Sequence, residues 1–142
     1  MKNNENSFDI KIKYFEYFIY KLMKFYNSYK NNDKYNIVSK KLNRNKAISL
    51  LYYLCSASIS NDKSENNLFD IFNEWYVNIG NAFIEKDIYQ LLRDDKFKFS
   101  FFTINRFDVL LDDGIELEKL KIDSISDIDN SFKMMLNKNP EL

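Results

Sequence analysis

The sequence predicts a mainly α, compact single domain over residues 1–142, with a small two-stranded β-hairpin in its C-terminal third. Three observations carry that expectation. Apolar residues recur at steps of three and four through several long stretches. One stretch, "AISLLYYLCSAS", is apolar almost all round and so reads as a helix buried on several sides. Hydrophobic residues make up 45 % and aromatic residues 17 % of 142 residues, enough for one domain to bury a core.

The first helix is expected over residues 8–30. Phe8, Ile12, Phe15, Ile19, Leu22, Tyr26 and Tyr29 form one stripe, widened by Phe18 and Phe25. Lys11, Lys13, Lys21, Lys24 and Lys30 lie mostly off it. "NSYKNNDKYN" reads as a polar loop. The second and central helix starts behind Asn43 or Asn45 as cap and runs to Ile59. "SNDKSENN" is the next polar loop.

A third helical segment is expected over residues 68–77, with Leu68, Ile71, Phe72, Trp75 and Tyr76 at helical spacing. "NIGN" interrupts it, and Gly80 is the natural place there for a positive φ angle. "EKDIYQLLR" resumes as a helix, with Glu85 near its start and Arg93 at its end, both favourable to the helix dipole. Phe97, Phe99 and Phe101 alternate with period two and suggest a short strand. "RFDVLLDDG" reads as a helical turn stopped by Gly114, and "ELEKLKI" as either the partner strand or a helical turn. The hairpin therefore falls between about residues 97 and 122. A last helix follows Ser124 or Ser126 as cap and turns Ile128, Phe132, Met135 and Leu136 inward.

Composition excludes several chemistries. The chain has no histidine and one cysteine, so it cannot assemble a Ser/His/Asp or Cys/His nucleophile, nor the common zinc ligand sets. Two glycines cannot build a phosphate-cradling loop. Acidic pairs at Asp94–Asp95 and Asp112–Asp113, with Glu116 and Glu118, read as caps and turn residues, and no EF-hand spacing occurs. The expectation is no enzyme, no catalytic residues, no metal and no cofactor. Cys55 reads as a small buried apolar residue.

Lone cysteine usage points to a reducing cytoplasm. Residues 1–10 lack a secretory signal's apolar core, and no apolar run approaches the roughly 20 residues of a membrane span. Abundant Phe, Tyr, Ile, Lys and Asn match AT-rich coding DNA, of a bacterium or its mobile elements, and carry no functional weight. Lysine plus arginine balance aspartate plus glutamate at 21 each, which disfavours a nucleic-acid partner. The basic run of Lys40, Lys41, Arg44 and Lys46 keeps a nucleic-acid module as a minor alternative. The charge is uneven: ten basic residues against two acids over 11–46, and eight acids against two lysines over 108–129. Either the two ends pack side by side, or they steer a protein partner.

Three stretches resemble the Panacea domain family, also called SocA-like, over roughly residues 14–92. "YFEYFIYKLMKFY" stands where that family has its opening helix. "LNRNKAISLLYYLCSAS" is similar to its second helix, with Lys46 a turn before Leu50, Leu51 and Tyr52. "FNEWYVNIGNAFIEKDIYQLL" is similar to its Trp segment, turn and following helix, through Trp75, Gly80, Ile88 and Tyr89. The chain departs from the family at Gly80-Asn81-Ala82, where the family has Gly-Pro-Val, and in lacking histidine. The resemblance implies a helical antitoxin that neutralises a toxin protein by stoichiometric binding. An anti-CRISPR type inhibitor of a host defence nuclease, from a phage or mobile element, suits the same features.

The candidate partner-binding residues are Trp75, Tyr76, Asn78, Gly80 and Asn81. Adjacent on a helix, Trp75 and Tyr76 would diverge by about 100°, so one is expected inside and the other at the surface. Trp75 is expected to anchor the turn while Tyr76, Asn78 and Asn81 present it.

Overall fold

The computed structural model describes residues 7–30, 42–59 and 67–138. Among these residues four helices carry the fold: α1 (Ser7–Lys30), α2 (Arg44–Ile59), α3 (Lys86–Leu92) and α4 (Ser126–Lys138). Two antiparallel hairpins accompany them, β1 (Trp75–Val77) with β2 (Phe83–Glu85), and β3 (Phe102–Ile104) with β4 (Val109–Leu111). The fold is mainly α with small β-hairpins. Most of both predicted polar loops, with Lys40 and Lys41, lies outside the described residues.

α1 follows its periodicity. Phe15, Phe18, Ile19, Leu22 and Tyr26 are buried, with Ile12 and Phe25 half-buried. Phe8, at the start of the stripe, is exposed, and Lys11, assigned to the outer surface, is buried. α2 begins where the Asn43 side chain accepts the Lys46 amide at 2.9 Å, a side-chain N-cap. It is the centre of the molecule, packed against α4, β2 and the 3₁₀ turn Leu68–Asp70, while α1 packs on α3 and α4. Leu50, Leu51, Leu54 and Cys55 are buried on it, and Tyr53 alone among its tyrosines is well exposed.

α4 turns Ile128, Phe132 and Met135 fully inward and Leu136 partly, as its spacing predicts. The Phe132 ring meets Phe18 at 6.2 Å and Phe25 at 6.3 Å, both edge-on. Lys21 pairs with Asp129 at 3.2 Å, so the basic and acidic stretches do meet on α1 and α4. This pair is about one-third exposed and contributes at most about 1 kcal/mol. Each buried Phe or Leu contributes roughly 1.5–3 kcal/mol, so packing, not charge, fixes α4 on α1.

Four local expectations are corrected. The alternation at Phe97, Phe99 and Phe101 is not a strand: β3 is Phe102–Ile104, and Phe99, Phe101 and Phe102 are all buried in the core, so the spacing records core burial and not a strand's two faces. Residues 68–77 are not one helix: a 3₁₀ turn at Leu68–Asp70 gives way to strand β1. Helical and strand periods are hard to tell apart in a short aromatic run, and pairing with β2 decided the matter. "RFDVLLDDG" is not a helical turn, because Val109–Leu111 is the strand paired with β3; Leu117–Lys119, in "ELEKLKI", is a 3₁₀ turn. Gly80 does not take a positive φ; Asn81 does, at 64°, and Gly114 at 82°.

Candidate functional site

The surface worth building up is the β1–β2 hairpin and the part of α2 beneath it. The Ser58 hydroxyl of α2 accepts the Leu68 amide at 3.1 Å, and Asn67 Oδ1 accepts the Phe69 amide at 2.8 Å. These bonds fix the chain as it leaves α2. Phe72 is fully buried, and its carbonyl accepts the indole N–H of Trp75. From there the chain extends, pairing Trp75 with Glu85, Tyr76 with Ile84 and Val77 with Phe83.

Side chains of a strand alternate between two faces. Trp75, Val77, Phe83 and Glu85 share one face; Tyr76 and Ile84 share the other. The first face lies on α2. There Tyr52 stacks on Phe83 at 4.4 Å and 9° and meets Trp75 edge-on at 5.7 Å, while Phe69 meets Trp75 at 5.7 Å. Offset and edge-on pairs of this kind are the favoured aromatic arrangements. Trp75 is thus a half-buried anchor, as expected, although it diverges from Tyr76 through strand alternation and not helical rotation.

Asn78 builds the turn. Its Oδ1 accepts the amides of Gly80 and Ala82, each at 3.0 Å, and its own amide donates to the Ala82 carbonyl at 3.0 Å. The Asn81 amide donates to the Asn78 carbonyl at 2.9 Å. Asn81 supplies the left-handed residue, a conformation that a short polar side chain tolerates. A Cβ on Gly80 would meet nothing closer than Asn78 Oδ1 at 3.6 Å, an ordinary contact. Of the five residues selected from sequence, Tyr76, Gly80 and Asn81 are exposed, Asn78 is a turn-former, and Trp75 is an anchor.

Sequence reasoning missed the apolar residues that surround them. Ile79 at the tip of the turn is fully exposed, and Val77, Phe83 and Tyr53 are each about half exposed. The rings of Tyr53, Tyr52 and Phe83 run consecutively, with 6.1 Å and 4.4 Å between neighbours. Val77 stands opposite Phe83 on the same face. The available signal was the alternation in "WYV" and "FIE", obscured because each strand has only three residues.

The base of the hairpin holds a buried ionic cluster. Lys11 Nζ donates to Glu85 Oε2 at 2.5 Å, to Asp87 Oδ2 at 2.7 Å and to Asn73 Oδ1 at 3.3 Å. All three ammonium donors are used. Glu85 also accepts the Ile88 amide at 2.9 Å, capping α3, and the Glu74 amide at 3.0 Å. Burial alone would lower the Lys11 pKa, but the Asp87 and Glu85 carboxylates outweigh it and hold the ammonium above its ordinary 10.5. Nearby, burial and then the Glu85 charge push the Cys55 thiol far up, so it stays protonated.

A second cluster joins α1 to α4. Asp129 accepts the Tyr17 hydroxyl at 2.6 Å and the Ser124 hydroxyl at 2.5 Å, beside Lys21. Burial would raise the Asp129 pKa, but the bonds from Ser124, Tyr17 and Lys21 prevail and lower it. Tyr17 is raised, by burial first and then by its bond to Asp129. The acidic pairs sit at turns: Asp94 Oδ1 accepts the Lys96 amide at 2.9 Å and Asp112 Oδ1 the Thr103 hydroxyl at 3.0 Å. Among the described residues no group of three acidic or cysteine side chains is placed to hold a metal ion. No helix among them is long and apolar enough to cross a membrane. No protein-family model, curated protein or solved structure matches this chain.

Proposed function

We propose that this chain is a binding protein, not an enzyme, and that it neutralises another protein by stoichiometric contact in the manner of an antitoxin. The contact surface is the tip and outer faces of the β1–β2 hairpin, with Tyr53 and the half-buried Tyr52 beside it. One observation carries the reading: Tyr53, Tyr76, Val77, Ile79 and Phe83 stand exposed around one hairpin whose backbone is fixed by Asn78, Trp75 and Glu85. Clustered exposed aromatic and aliphatic side chains on a rigid support are what protein interfaces use as anchors. The absence of histidine and the inert state of Cys55 support a non-catalytic role. The resemblance to the antitoxin family supports the choice of partner class.

The test is affinity capture from the source cell with the wild-type chain and with an Ile79→Asp variant, followed by calorimetry with the purified partner. A partner bound one-to-one by the wild type, and lost by a variant of unchanged stability, is the expected result. A toxin as that partner upholds the antitoxin reading; a defence nuclease replaces it with the mobile-element inhibitor. Equal capture by both chains, or substrate turnover by the pure protein, overturns the proposal.

A further inference from the structure

The hairpin has an open edge of defined phase. The Lys86 amide donates to the Glu74 carbonyl at 2.7 Å and the Asn78 amide to the Ala82 carbonyl at 3.0 Å. With Tyr76 opposite Ile84, the hydrogen-bonded pairs are 74 with 86, 76 with 84, and 78 with 82. An antiparallel ladder alternates, so the N–H and C=O groups of Trp75 and Val77 point away from β2. Among the described residues no other backbone group bonds to them. β2 is the strand packed most closely on α2 and α3, while β1 touches α2 through the Trp75 ring against Tyr52. Natural edges are blunted by lysine, proline or a bulge, and β1, "WYV", has none of these.

We propose that two copies of this chain associate by antiparallel pairing of β1 with β1 across a two-fold axis at Tyr76, which joins the hairpins into a four-stranded sheet. The two outward-facing residues are symmetric about Tyr76, so the strand is complementary to itself. Trp75 of each copy exchanges two hydrogen bonds with Val77 of the other, four in all. The two Tyr76 residues then form a non-hydrogen-bonded pair, with Cα atoms about 4.5 Å apart. Val77, half exposed in the single chain, comes to lie beside the other copy's Trp75, an aromatic–β-branched pair of the kind that stabilises sheets.

Charge favours this edge over β4, and packing closes the other two. In β1 self-pairing Glu74 falls opposite Asn78, and no like charges oppose one another. β4 has the same phase, because the Asn105 amide bonds to the Asp108 carbonyl and the Asp112 amide to the Phe101 carbonyl. Its self-pairing about Leu110 would set Asp108 against Asp112 twice. β3 is closed because Phe102 and Ile104 are buried, and β2 carries Glu85, already held by Lys11. The proposal does not depend on a partner protein: it takes Tyr76 and Val77 into the seam and leaves each assembly two hairpin tips, at Ile79, for such a partner.

The experiment is mass determination of the full chain by light scattering and sedimentation equilibrium, with Tyr76→Lys and Tyr76→Glu made separately. Wild type should have twice the 17.1 kDa chain mass. Each variant alone places two like charges on the axis and should dimerise more weakly by more than about tenfold. An equimolar mixture of the two variants should recover the dimer. A single-chain wild-type mass at every soluble concentration, variants that dimerise like wild type, or a mixture that stays monomeric would each overturn the proposal.

Discussion

Asp129 and Cys55 show how single side chains take their chemistry from their surroundings. Asp129 is partly exposed, yet its bonds from Ser124 and Tyr17 and the Lys21 charge favour its ionised form. Because its folded pKa is lowered, its stabilisation is present above the ordinary 3.8 and is lost as pH falls through the folded value. Asp129→Ala should cost about 1 kcal/mol at neutral pH, with the difference from wild type vanishing in strong acid; urea titrations at several pH values measure it. Cys55, buried among apolar side chains, should not react with an aromatic disulfide reagent in the native state and should react promptly in denaturant. Native labelling at the rate of a free thiol would contradict that placement.

Between elements, one lysine does what no helix stripe could. Lys11 from α1 reaches Glu85 at the end of β2 and Asp87 in α3, and so fastens the hairpin's base to two helices. Removing one partner from a buried ionic group leaves the rest uncompensated. Lys11→Met should therefore destabilise the fold by about 3–5 kcal/mol, against at most about 1 kcal/mol for Lys21→Met. Its raised folded pKa means that this stabilisation is complete below 10.5 and is lost as pH rises through the folded value. Alkaline unfolding monitored by circular dichroism should show that limb in wild type and not in Lys11→Met. The turn gives a sharper comparison. Asn81→Val forces a β-branched residue to a φ of 64° and should cost about 1–2 kcal/mol, whereas Gly80→Ala should be nearly neutral. The Asx bonds from Asn78 hold the turn shape, so the requirement for a left-handed residue moved one position from the glycine that composition singled out.

At the scale of the whole molecule, formal charge is zero and the isoelectric point is about 6.3, while an apolar hairpin tip stands in solvent. Solubility should pass through a minimum near that pH and improve on either side. Ile79→Asp should lift the minimum with thermal stability unchanged, because Ile79 buries nothing in the fold; a drop in melting temperature would show that the tip has a structural role.

The sequence by itself determined α1, α2, α3 and α4, most of the core they bury, and the burial of Cys55. Steps of three and four in α1 and α4, and the unbroken apolar run in α2, follow directly from a period of 3.6 residues, and burial obeyed them at Phe15, Ile19, Leu22, Ile128 and Phe132. Only the tertiary structure decided the hairpin and its surface. Strands of three residues are too short to display their own period, so pairing, not propensity, makes Trp75–Val77 extended. Lys11 lay on the outer side of its helix until Glu85, 74 positions away in sequence, was folded against it. Whether a tyrosine such as Tyr52 or Tyr53 is core or surface depends on what is stacked upon it, and one-dimensional spacing carries no record of that neighbour.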